Sequence, residues 1–219
     1  MLRVIGSFIV GLMATGLAQA HFPFILPNES GSSVKVVFSD SLAPDPAVKI
    51  DKLDATKLFT RQASKDVPIE WKKGESWLEA KAPDASRVVF GVTEYGVLQK
   101  GDAKPFRLVY YSKVNLVPDA PTVGSPLVVE IVHAKTGTKS KFQVLVAGKP
   151  AEGLEVTVML PGDKSESVKT DKDGFTTAFE GTGRFGVVAR RLEAKAGEYA
   201  GRKYEEVRSY ATLVVDVKP

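Results

Sequence analysis

The 219-residue chain contains no cysteine. Disulfides, thiolate metal sites, cysteine nucleophiles and lipid attachment to a leader-segment cysteine are therefore excluded. Histidine is nearly absent, with His21 and His133 the only two. No His-x-x-x-His pair can form, and a serine-histidine-aspartate triad would need one of these two as its base. No Gly-x-Ser-x-Gly elbow accompanies either, so hydrolase chemistry is not expected and the chain reads as a non-enzyme. A basic block is missing as well. The 30 Lys and Arg residues are interspersed with 26 Asp and Glu, for a formal net charge of +4, which argues against nucleic acid as a partner. After the first segment, no apolar run reaches the roughly 20 residues that a membrane-spanning helix needs.

What is present begins at the start of the chain. Arg3 supplies a positive charge, residues 5–17 are apolar, and Ala18-Gln19-Ala20 is a small-x-small cleavage site. Residues 1–20 thus read as a secretory signal. Its removal leaves about 199 residues carrying about +3, before the new terminal amine is counted. The expected product is a soluble protein of the bacterial periplasm or the extracellular space. Without disulfides, it must hold together by core burial.

The mature sequence alternates short runs of Val, Leu, Ile, Phe, Tyr and Thr with Gly, Pro, Asp and Asn. That pattern predicts an all-β protein. Strands are expected at 34–39, 77–81, 87–93, 106–113, 127–133, 141–146, 155–160, 165–170, 176–179, 184–190 and 210–217. Residues 52–63 could hold one short helix or turn. The stiff, turn-rich stretch 118–126 suggests a boundary. The expected organisation is a signal peptide (1–20), an N-terminal β-domain (21–120) and a C-terminal immunoglobulin-like or transthyretin-like β-sandwich (121–219).

The run His21-Phe22-Pro23-Phe24-Ile25-Leu26-Pro27 directly after the signal carries a resemblance. So do Tyr95-Gly96-Val97, Leu108-Val109-Tyr110-Tyr111-Ser112-Lys113 and Val129-Glu130-Ile131-Val132. Phe142-Gln143-Val144-Leu145, Gly148-Lys149-Pro150, Thr170-Asp171-Lys172-Asp173-Gly174 and Tyr210-Ala211-Thr212-Leu213 complete it. In this order the motifs resemble exported bacterial proteins of domain of unknown function family 4198, also named for a substrate-specific region of nickel uptake. The resemblance implies a periplasmic β-protein associated with uptake of a transition metal, mainly nickel or cobalt. Such sequences often place histidine before the tyrosine that matches Tyr210, whereas this chain has Ser209.

Read on its own chemistry, His21 points the same way. As the first residue of the processed chain it offers an α-amine and an imidazole Nδ1 that can close a chelate ring on one ion. Their ordinary pKa values, roughly 7.7–8.0 and 6.5, let both bind metal near neutral pH. Nitrogen donors suit nickel and copper. If His133 folded back onto the terminus, three nitrogens would form the T-shaped arrangement called a histidine brace. Asp40, at the end of the 34–39 strand, and Glu94, in an expected turn at 93–96, are carboxylates that could complete a shell, although turn capping or surface charge is the favoured reading of both. Glu130 lies three positions from His133 on one strand and therefore points to the opposite face. Asp171-Lys172-Asp173-Gly174 lacks the later acidic positions of a calcium loop and reads as a β-turn. Tyr110 and Tyr111 point to opposite sides of one strand, with one expected in the core. Trp71 and Trp77 read as packing residues.

These features lead to the expectation of a periplasmic protein that binds nickel, cobalt or copper and hands it to a partner, such as a membrane metal-transporter subunit. The metal site would draw on His21, His133, Asp40 and Glu94. Two rival readings are a metal-free exported binding or scaffold module and a copper oxidase acting on polysaccharide.

Overall fold

The computed structural model describes residues 21–162 and 164–218. The expected signal peptide lies outside the described residues. The chain is all-β. In order, its elements are β1 (Phe22–Pro27), β2 (Ser33–Ser39), a 3-10 turn (Ile50–Leu53), β3 (Thr56–Gln62), β4 (Lys65–Ile69), β5 (Trp71–Lys73), β6 (Trp77–Lys81), β7 (Val88–Leu98) and β8 (Phe106–Asn115). There follow β9 (Val129–Thr136), β10 (Lys139–Val146), β11 (Lys149–Pro150), β12 (Glu155–Leu160), β13 (Lys164–Lys169), β14 (Gly183–Tyr199) and β15 (Arg202–Val217). No helix among the described residues is long and apolar enough to cross a membrane.

Three sheets form: β1-β2-β6-β5, β11-β10-β9, and a large one in the order β13-β12-β14-β15-β8-β7-β3-β4. Neighbours in the large sheet run antiparallel except β15 and β8, which are parallel. Strand alternation sends its side chains to two separate cores. On β8, Phe106, Leu108, Tyr110 and Val114 join one core, while Val109 and Tyr111 join the other. The same division holds on β14, where Val188 opposes Val187 and Ala189, and on β15, where Val214 opposes Leu213 and Val215. The β1-β2-β6 layer covers the first face with Phe24, Ile25, Val36 and Leu78. The β9-β10 layer covers the second with Val129, Ile131, Phe142 and Val144. The centre of the large sheet is thus buried on both faces, between the two smaller layers. Each fully buried Phe, Leu or Val contributes roughly 1.5–3 kcal/mol, and these two cores stabilise a chain that has no disulfide to close it.

Several expected elements take a different form. Residues 22–27, read as a terminal motif, form an edge strand that pairs with β2. The stretch 52–63 contains the end of the 3-10 turn and then β3, because Leu58 and Thr60 pack inward as a strand. Residues 176–179 form no regular strand; isolated bridges join Ser140 to Phe179 and Gln143 to Phe175. The last two expected strands extend into a long hairpin closed by Ala200-Gly201. Both residues have positive φ, +49° and +76°, the signature of the tight turn whose twist matches its strands. Tyr110 and Tyr111 are both buried, one in each core.

Stretch 118–126 is fastened to the second core. The Glu130 carboxylate accepts N–H bonds from Val123 (2.8 Å) and Gly124 (2.7 Å) and pairs with Lys113 Nζ at 2.6 Å. Lys113 is 2% exposed. Burial pushes its ammonium below the usual lysine range, and the Glu130 charge opposes that shift. Desolvating two ions costs several kcal/mol each, so such a pair persists only when the remaining lone pairs find donors. The two backbone N–H groups are those donors.

Candidate functional site

His21 stands at the entry to β1. Its ring lies against Phe38 of β2, with centroids 6.0 Å apart and planes tilted by 38°. Its Nε2–H donates to Asp45 Oδ2 at 3.0 Å. Asp45 is itself fixed, because Oδ1 accepts the N–H of Ala47 at 2.9 Å. That Asx-type turn is set between Pro44 and Pro46, which limit the backbone on either side. The backbone donor, and then His21, hold the Asp45 carboxyl below the usual carboxylate range. In the neutral imidazole, a proton on Nε2 given to the carboxylate leaves the lone pair on Nδ1. Nδ1 is also the nitrogen that can chelate together with the α-amine of a chain beginning at His21. A carboxylate on the far nitrogen orients an imidazole and raises its basicity toward a metal.

The structure does not bring the other sequence candidates to His21. His133 sits on β9, opposite Phe142 in the register of β10. Its ring packs on Phe142 at 5.7 Å, and its Nε2 is 3.0 Å from Ser140 Oγ. Phe142 belongs to the second core and Phe38 to the first, so the two histidines attach to opposite faces of the middle sheet. Burial, with a smaller contribution from Lys135, holds the His133 imidazole below the ordinary histidine range. Asp40 follows β2 and lines a neighbouring cleft of about 620 Å³ with Leu42, Met159 and Arg184; Phe22 borders both that cleft and His21's. Glu94 lies within β7 at a bulge, where a turn was expected. It is held by Arg107, whose guanidinium meets both carboxylate oxygens at 2.7 and 3.3 Å. Among the described residues, no three His, Asp or Glu side chains converge as a metal cage.

Three tyrosines that sequence reasoning left unused gather next to His21. Tyr95, Tyr110 and Tyr210 come from β7, β8 and β15. Tyr110 is 5.8 Å from each of the other two rings, and Phe38 lies 5.9 Å from Tyr110. With His21, Phe22, Phe106, Lys100 and Arg208 they line a cleft of about 270 Å³. Burial, and then the neighbouring Tyr95 and Tyr210, push the Tyr110 phenol well above its ordinary value. It is a neutral donor at any physiological pH. Asp45 was also missed, although Pro44-Asp45-Pro46 is a turn signal that could have found it. The tyrosines carry no such local signal, because strand pairing alone assembles them.

No protein-family model matches this chain, and a search of the curated proteins finds no significant match.

Proposed function

We propose that the processed protein binds one divalent transition-metal ion at its N-terminus, with nickel, cobalt and copper as the candidate cargoes, and passes it on in the periplasm or outside the cell. The observation that carries this reading is the Asp45 clamp on His21 Nε2 at 3.0 Å. It presents Nδ1, and the amine would join it once residues 1–20 are removed. Amine and imidazole nitrogens suit nickel and copper. The order of motifs that resembles the nickel-uptake family supports the same class of cargo. With His133 held on Ser140 and Glu94 on Arg107, the protein would supply few donors. Such a shell leaves positions open for the next carrier, for instance a membrane transporter subunit, and suits transfer better than storage.

The division into a 21–120 domain and an immunoglobulin-like 121–219 domain belongs to this proposal. The turn-rich stretch 118–126 supports it, while each apolar core draws residues from both halves and the pairing of β15 with β8 ties the halves through one sheet. A polysaccharide oxidase would need a flat, exposed aromatic surface around His21, but Phe38 and Tyr110 are buried there.

The test is a calorimetric titration with Ni(II), Co(II) and Cu(II) of the protein beginning at His21, beside a form with one extra N-terminal residue. The extra residue removes the amine-imidazole chelate and leaves the fold alone. Tight binding by the processed form alone is the expected result. Equal affinity in both forms would remove His21 from the site. No uptake in either leaves a metal-free exported binding module as the better description.

A further inference from the structure

The cleft beside His21 is lined by hydrogen-bond donors and by no carboxylate. Tyr95, Tyr110 and Tyr210 line it, Tyr110 buried at 5% exposure and the other two half-buried. The charged side chains at the rim, Lys100 and Arg208, are both cations, and no Asp or Glu lines the cleft. Arg208 stacks over Phe106 at 3.6 Å and gives Nε–H to Glu206, while its terminal nitrogens bond to no described residue. Phe22, Phe38 and Phe106 supply flat apolar walls. At about 270 Å³ the space lies just below the usual range for drug-sized ligands. It suits a small, flat molecule bearing negative charge.

We propose that this cleft holds the organic part of a metal chelate, a small planar-ring carboxylate that fills coordination positions left open at His21. The proposal rests on the metal reading above and adds the form in which the metal arrives. The ring would lie among Phe22, Phe38 and Phe106. Phenol O–H groups and the Arg208 guanidinium would donate to the carboxylate.

The probes are Ni(II) alone, preformed 1:1 Ni(II)–pyridine-2-carboxylate, and the matching complex of the neutral pyridine-2-carboxamide, each titrated into the protein beginning at His21. The carboxylate complex should bind at least roughly tenfold tighter than bare Ni(II), the gain of one charge-assisted hydrogen bond. The carboxamide complex should lose most of that gain. In Tyr110→Phe/Tyr210→Phe and in Arg208→Gln the advantage of the carboxylate complex over bare Ni(II) should shrink, with near-UV circular dichroism checking the fold. Bare Ni(II) binding as tightly as its carboxylate complex overturns this inference and leaves the metal reading standing. A carboxamide complex that keeps the full gain overturns it in the same way. Failure of Ni(II) in every form overturns both. The comparison of the two complexes needs no variant, so the test survives if a substitution unfolds the chain.

Discussion

The two faces of the middle sheet treat their buried polar groups in opposite ways. On the second face, Lys113, Glu130 and the Val123 and Gly124 N–H groups saturate one another, and His133 rests on Ser140. On the first face, Ser112 and Thr212 both donate to the Pro23 carbonyl, at 2.9 and 2.7 Å, and fix β1 to the sheet. A few residues away, three tyrosines and the Arg208 guanidinium line a cleft instead. Polar groups locked to one another on one face therefore read as architecture, and those that line an open cleft on the other as a site.

The sharpest way to break this contrast is Glu130→Ala. It leaves Lys113 buried without a counter-charge and strands two backbone N–H groups, so it should cost about 3–5 kcal/mol in chemical denaturation. A loss below about 1 kcal/mol would mean that water reaches the pair and that this face is not closed. Asp45→Ala tests the other face. Metal affinity of the processed protein should fall roughly 10–100-fold, measured by calorimetry, while the denaturation midpoint barely moves. If affinity holds, the clamp on His21 is incidental.

Smaller effects separate architecture from site within the first face. Thr212→Val removes a donor to the Pro23 carbonyl and should cost about 1 kcal/mol. Tyr110→Phe removes the hydroxyl of a cleft-lining tyrosine, so stability should change by less than ~1 kcal/mol. A clear loss from Tyr110→Phe would show that the phenol has a structural partner and would undercut the cleft. The smallest effect concerns pH. His133 is held below its ordinary pKa by burial, so the unfolded chain takes up its proton first as pH falls. The associated stability is complete above the unfolded value, near roughly 6.5, and is lost as pH drops toward the lower folded value. His133→Gln should flatten that slope in denaturation curves recorded between neutral and mildly acidic pH.

The strand at 77–81 and the one at 155–160 were legible to the residue, because alternation and flanking turn residues agree there. The β1 strand was not, since two prolines in Phe22–Pro27 argue against a sheet; an edge position tolerates them. At residues 52–63 the charged and polar content masked an edge-proximal strand whose inward residues are few. Within the candidate site, His21 was visible through its position after a cleavage motif. Asp45 had a local turn signature, but only the folded loop brings it to an imidazole 24 residues away.

Composition and periodicity by themselves determined that this chain is β-built and free of disulfides, with one of its two histidines directly after a small-x-small motif. Those properties are local, set by side-chain type and by which neighbours alternate. Tertiary structure alone decided that His133 would sit on the opposite sheet face from His21, and that Tyr95, Tyr110 and Tyr210 would meet. The first follows from the β9-β10 layer covering the second face; the second needs the parallel register that sets Tyr210 beside Tyr110, a pairing between segments about a hundred residues apart that no short window of sequence encodes.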